Sequence, residues 1–176
     1  MSHPFRASWS DYPDNESLSV LVYVVGCAHG CEKCHNPQFQ SLDNNPPSVV
    51  PMRIETLIPT LREECRKNRT NKVVLTGGDP LFSDNLEFIT ILLEQTSTEF
   101  DYCLYTGYEL DRIRDYNISG FKFVKTGTYM ADQSQTPQKT DEKFVLASKN
   151  QKIYNDKLSL LTKDGILFFE PERTTE

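Results

Sequence analysis

A run of β-branched and apolar residues, Leu18-Ser19-Val20-Leu21-Val22-Tyr23-Val24-Val25, stops at Gly26 and reads as a buried strand. Asn44-Asn45-Pro46-Pro47-Ser48 then marks a turn. Over 52–67, Ile54, Leu57, Ile58 and Leu61 recur at helical spacing, with Pro59 inside the pattern as a kink or a delayed start. Residues 72–76 form a second short strand that ends at Gly77-Gly78-Asp79-Pro80. Asp84 is placed to N-cap a helix running to about Gln95, with Leu86, Ile89, Thr90 and Leu93 on one face. A third strand over 100–105 ends at Thr106-Gly107, and a short helix over 109–115 precedes a strand at 121–125. The polar stretch 131–141 reads as a surface loop. Residues 158–161 and 166–169, joined through Thr162-Lys163-Asp164-Gly165, read as a β-hairpin with an Asp-Gly turn. Residues 171–176 read as a frayed tail.

Strands that alternate with helices imply βαβ units and a mainly parallel sheet. The expected fold class is therefore α/β. With too few units to close an eight-stranded barrel, the expected form is a partial, open TIM-like barrel whose open side would admit a segment of a macromolecule. At 176 residues the chain fits one domain over 1–176, with about 155–176 as a hairpin and tail extension. Three motifs rich in glycine or cysteine fall at the C-terminal ends of three successive strands. In open α/β sheets and barrels, that edge is where ligands bind.

The formal net charge of −6 argues against broad binding to a nucleic-acid backbone, for which a basic stripe is the usual mark. The longest apolar run is too short to span a bilayer, and Met1-Ser2-His3-Pro4-Phe5-Arg6 has no apolar core of an export signal. Five cysteines without an export signal suit a reducing, cytoplasmic setting better than a disulfide framework. Cys65 in a helical stretch and Cys103 in a strand read as structural thiols.

The remaining three, in Cys27-Ala28-His29-Gly30-Cys31-Glu32-Lys33-Cys34, carry chemistry. Iron–sulfur cubes are ordinarily held by four thiolates, so three leave one iron open to an exogenous chelating ligand. Two other readings of the same residues compete. One is a structural zinc on Cys27, Cys31, Cys34 and either His29 or His35, and the other is a redox disulfide pair. Crowding of every donor into nine residues is unlike the two separated ligand pairs of zinc fingers.

The C-x3-C-x2-C spacing resembles that of the radical S-adenosylmethionine enzymes, and Cys34-His35-Asn36-Pro37 narrows the likeness to the activases that install glycyl radicals in partner enzymes. Gly77-Gly78-Asp79-Pro80 resembles their Gly-Gly-Glu-Pro segment, although it is also good turn chemistry by itself. Tyr105-Thr106-Gly107-Tyr108 is similar to a string found in the activases of the anaerobic ribonucleoside-triphosphate reductase. Ser148-Lys149-Asn150-Gln151 resembles a late Ser-Ser-Asn-Gln string. The chain departs from the family at Asp14-Asn15-Glu16, where a Gly-Pro-Gly type segment is usual, at Thr126-Gly127 for Asp-Gly, and at Leu146-Ala147 for Arg-Gly.

The resemblance implies a 4Fe-4S cluster on Cys27, Cys31 and Cys34, and S-adenosyl-L-methionine as second cofactor. Lys33, Cys34 and His35 would face its adenine end, and Gly77 and Gly78 would let the backbone approach its methionine part. Asp79 would face its ammonium, Thr106 would lie over the cofactor region and Asn150 would help to hold it. The implied reaction is reductive cleavage to a 5′-deoxyadenosyl radical, which takes a hydrogen atom from a glycine near the C-terminus of the large reductase subunit. Electrons would come from a flavodoxin-like donor, and no side chain need act as general acid or base. A pyruvate formate-lyase type activase, another small radical enzyme, and a zinc or iron–sulfur binding protein without catalysis are the alternatives.

Overall fold

The computed structural model describes residues 5–15, 18–41 and 51–169. Four parallel strands form the middle of its main sheet: β2 (Ser19–Val24), β3 (Lys72–Gly77), β4 (Asp101–Tyr105) and β5 (Phe121–Thr126). At the two edges β1 (Phe5–Ser8) and β8 (Lys152–Asn155) pair antiparallel. The six strands lie in the order β1-β2-β3-β4-β5-β8. The fold is thus mixed α/β with a mainly parallel sheet that, among the described residues, does not close on itself.

Parallel strands covered on both faces need apolar residues at nearly every position, which is why the Val-rich runs are legible. Val20, Val22 and Val24 of β2, Val73 and Leu75 of β3, and Tyr102 and Leu104 of β4 face one core. That core is covered by α1 (Ile54–Lys67), α2 (Leu86–Thr96) and α3 (Leu110–Asp115). Leu21, Val74 and Cys103 face the other side, where the buried Tyr12 covers them. Tyr105 and Phe123 continue this second face towards a small sheet of β6 (Gln138–Lys139), β7 (Lys143–Val145) and β9 (Ile166–Phe168).

Several expectations are corrected. α1 starts at Ile54 and contains Pro59, with no delay in its start. Pro59 and Glu55 are both exposed, so the carbonyl that loses its donor faces water. Asp84 does not cap α2: it lies in a 3-10 turn, Ser83–Asn85, and Asn85 precedes the helix without a side-chain cap bond. The buried face of α2 is Ile89, Leu92, Leu93 and Thr96, whereas Thr90 is exposed. The turn at Asp164-Gly165 exists, with both residues at positive φ, but β9 pairs with β7 and not with 158–161. Residues 131–141 are not merely a loop, since they hold a 3-10 turn and β6, where Lys139 is buried. The turn cluster at 44–48 and the tail at 171–176 lie outside the described residues.

At the N-terminal end of the parallel strands, Lys72 at the start of β3 and Lys139 of β6 both pair with Asp14. Lys139 Nζ also donates to the Tyr12 carbonyl at 3.1 Å. Among the described residues, no helix is long and apolar enough to cross a membrane.

Candidate cofactor site

The C-terminal ends of β2, β3 and β4 meet in one hydrogen-bonded knot. β2 runs into the cysteine loop through Gly26, whose φ of +108° is left-handed. The loop returns on itself, with Gly26 N–H donating to the Phe39 carbonyl at 2.9 Å and Cys27 N–H to that of Gln40 at 3.0 Å. Within it, Gly30 and Lys33 take φ values of +60° and +57°. The neighbouring turn after β3 docks directly on this base: Gly78 N–H donates to the Val24 carbonyl and Asp79 N–H to that of Gly26, both at 2.8 Å. Asn85 Nδ2 ties the same two turns together through the carbonyls of Val25 and Asp79.

The two glycines of the β3 turn have a packing reason. A methyl group at Gly77 would meet the Val24 backbone, 2.5 Å from its oxygen, and one at Gly78 would collide with the backbone oxygens of Gly26 and Phe39. In this arrangement the space that a Cβ would take at either position is filled by neighbouring backbone.

Asp79 is the centre of the knot, only 1% exposed. Its Oδ1 accepts from Leu81 N–H at 2.8 Å and from the Thr106 hydroxyl at 2.9 Å. Its Oδ2 accepts from Gly107 N–H at 2.8 Å and pairs with His29 Nε2 at 2.6 Å. The His29 ring packs edge-on against Tyr108, with centroids 4.4 Å apart.

The structure brings Cys27, Cys31, Cys34, Gly77, Gly78, Asp79 and Thr106 to this one edge. Lys33 and His35 are exposed on the same loop. Asn150 joins from the turn before β8, where its Nδ2 donates to the Thr128 carbonyl at 2.8 Å. No hydrogen bond among the described residues links Asn150 to the Asp79 knot. Its Oδ1 is buried without a hydrogen-bond partner.

Besides Asn85, two side chains enter the site that sequence reasoning does not assign to it. His29 reads from sequence only as a zinc ligand, and its partner lies far away along the chain, where no local pattern reveals it. Lys125 follows Phe123 on the inner face of β5 and stands opposite Tyr105 in register, with Nζ 5.7 Å from that ring. The alternation Phe123, Lys125 is the available signal. Burial pushes the Lys125 ammonium down to about 8, while the charges of Asp79 and Cys31 act in the opposite sense. Burial likewise raises the Cys27 thiol; a hydrogen bond from the His29 backbone lowers it, and the nearby Asp79, Cys31 and Cys34 raise it further.

The donor set fits an iron–sulfur cube. All three loop cysteines are free thiols and partly exposed. In a cube each thiolate takes a different iron, so the three need not converge on one point. Among the described residues, no three His, Cys, Asp or Glu side chains are grouped to hold a single ion, which is the arrangement that structural zinc requires. The unpartnered Asn150 oxygen provides a buried acceptor at the same edge.

Accessibility separates the five thiols. In metal-free protein at about pH 8, iodoacetamide is expected to modify Cys27, Cys31 and Cys34 and to spare Cys65 and Cys103, which are 3% and 0% exposed. Burial also pushes the Cys65 thiol up to about 12. Peptide mass mapping after a short pulse would check this, and labelling of Cys103 before Cys31 would contradict the fold.

Residues 16–154, which carry the sheet edge with its loop of three free thiols, match the family described as the 4Fe-4S single cluster domain, and the chain is of that iron–sulfur class. Anaerobic ribonucleoside-triphosphate reductase-activating proteins are similar over most of their length. That of Salmonella typhi is 32% identical over 149 residues, covering 82% of this chain and 93% of the relative. That of Escherichia coli strain K12 is 30% identical with the same coverage, and that of Enterobacteria phage T4 is 26% identical over 83% of this chain and 89% of the relative. The chain belongs to the family of these activating proteins. No solved structure matches it.

Proposed function

We propose that this chain is the activase of an anaerobic ribonucleoside-triphosphate reductase, a radical S-adenosylmethionine enzyme that installs a glycyl radical on the large reductase subunit. The observation that carries the reading is the convergence of the cysteine loop, the Gly77-Gly78-Asp79 turn and the Thr106-Gly107 turn on one sheet edge, in a member of that family. Cys27, Cys31 and Cys34 would hold the 4Fe-4S cluster. Lys33, Cys34, His35, Gly77, Gly78, Asp79, Thr106 and Asn150 are the residues proposed to surround S-adenosyl-L-methionine. When bound, the pair supplies one-electron reductive cleavage of the sulfonium, chemistry that no protein side chain offers.

The chain's own part is to bind, orient and exclude water. Backbone bonds from Gly78 and Asp79 to Val24 and Gly26 fix the base of the cysteine loop, so the three thiols are presented from a rigid edge. Tyr23, Tyr105 and Lys125 line the inner face leading to it, with the Lys125 ammonium near the Tyr105 ring. Among the described residues the three α-helices lie on the opposite face, which supports reading the sheet as a partial, open TIM-like barrel in a single domain over 1–176. Its open side would receive the glycine-bearing C-terminal segment of the reductase, and a flavodoxin-like protein would supply the electron.

Anaerobic reconstitution with iron and sulfide, followed by dithionite and S-adenosylmethionine, is expected to give 5′-deoxyadenosine on chromatography. Addition of the reductase should then produce a glycyl radical doublet in its electron paramagnetic resonance spectrum. Cleavage accompanied by a radical only on pyruvate formate-lyase would move the assignment to that activase type. Zinc in place of iron, with no cleavage, would leave a binding protein without catalysis.

A further inference from the structure

An ionised carboxylate offers about four lone-pair positions, and Asp79 fills its own from within the chain. Leu81 N–H, the Thr106 hydroxyl, Gly107 N–H and His29 Nε2 all lie between 2.6 and 3.0 Å of its oxygens. A fifth donor, such as the ammonium of an amino acid, finds no unshared position unless one of these leaves. Two of the four are backbone amides, and the third is a hydroxyl on a residue 2% exposed. His29 alone arrives on a side chain from the cysteine loop.

The imidazole is also seated on two further sides. Tyr108 packs edge-on against it. A methyl group built on Gly107 would stand 2.6 Å from its Cδ2 and Nε2, so the missing side chain of Gly107 is the space that the ring occupies. Arg112 in turn lies over the Tyr108 ring at 5.2 Å and holds that wall from behind. Gly107, Tyr108 and Asp79 therefore form a fitted seat for one side chain of the cysteine loop.

Given the reading of that loop as cluster-bearing, we propose that His29 is a positioning residue. Seated on Gly107 and hydrogen-bonded to Asp79, it fixes the Cys27–Cys34 loop against the ends of β3 and β4. Asp79 then acts as the joint of three loops. A histidine that merely occupied the ammonium's place would have the opposite effect, because its removal would vacate the carboxylate and tighten binding.

The two arrangements differ in sign, which makes the test decisive. S-adenosylmethionine affinity is measured by equilibrium dialysis on the reconstituted, oxidised full chain, where no turnover occurs, for wild type, His29→Ala and His29→Gln. The expected result is a loss of about tenfold in affinity for His29→Ala, in the range seen when a residue that orients a metal ligand is removed. His29→Gln keeps an N–H donor for Asp79 and is expected to recover most of it. The S-adenosylmethionine-induced change in the spectrum of the reduced cluster should shrink in His29→Ala and return in His29→Gln. Unchanged or tighter binding in His29→Ala overturns the proposal.

A second measurement needs no cluster. In metal-free protein, alkylation of Cys27 and Cys31 is expected to be several-fold faster in His29→Ala than in wild type, because the loop has lost its tether. Equal rates overturn the tether even if His29→Ala takes up iron poorly. If wild type itself fails to bind S-adenosylmethionine, the functional reading fails, and the alkylation rates still decide whether His29 holds the loop.

Discussion

Changing any one of Cys27, Cys31 or Cys34 to Ala is expected to abolish cleavage of S-adenosylmethionine, by at least about a hundredfold. The reasoning is one of ligand number. A cube held by three thiolates has no spare protein ligand, so removing one leaves two irons open and a cluster that is easily lost. No other thiol can step in: Cys65 sits inside α1 and Cys103 inside β4, both buried in apolar packing. Iron and sulfide content after anaerobic reconstitution, read beside 5′-deoxyadenosine yield, checks both parts. Retained cleavage in any of the three variants would move the cluster to other ligands.

The second large effect is expected at Gly78. A methyl group there would press into the backbone oxygens of Gly26 and Phe39, and backbone cannot rotate away as a side chain can. Relief requires prising the turn after β3 away from the base of the cysteine loop, breaking the 2.8 Å bonds from Gly78 and Asp79. Overpacking of this kind costs on the order of 1–3 kcal/mol, occasionally more. Gly78→Ala should therefore lower the urea midpoint and also impair cluster uptake, since both depend on the same seam. Gly30→Ala is the matched control. Gly30 lies in the cysteine loop at φ +60°, and a methyl group added there would have nothing within 4 Å, so the change should cost only about 1 kcal/mol of backbone strain. Equal midpoints for wild type and Gly78→Ala would mean that the seam yields more easily than its geometry indicates.

The inner strands and helices are legible because their signals are local. Val20, Val22, Val73 and Leu75 announce strands by composition, and Ile54, Leu57, Ile58 and Leu61 announce a helix by period. The small sheet is illegible for the same reason. β6 has two residues, both polar in type, and β7 and β9 have three each, too few for any period to show. The Asp164-Gly165 turn is evident in the sequence, yet a turn fixes only its own bend, and β9 chose β7 through the apolar contact of Phe144 with Leu167. On α2 the difference is one of phase: Thr90 has the spacing of a core residue, but Leu92 and Thr96 lie on the side that meets the sheet. At the site, three motifs can be placed at strand ends from sequence. What they do to one another cannot, because the Asp79 bonds join residues from three loops and no short-range rule links them.

The opposite end of the sheet has a consequence of its own. Asp14, Lys72 and Lys139 tie the small sheet and the N-terminal segment to the foot of β3, one strand length, roughly 20 Å, from the cysteine loop. Buried ion clusters of this type are often neutral or favourable to replace as a whole by apolar residues of matched volume, though costly to break singly. This chain therefore offers a protein engineer two separate handles. Durability can be tuned at the foot by concerted repacking, while the chemistry at the head keeps its geometry.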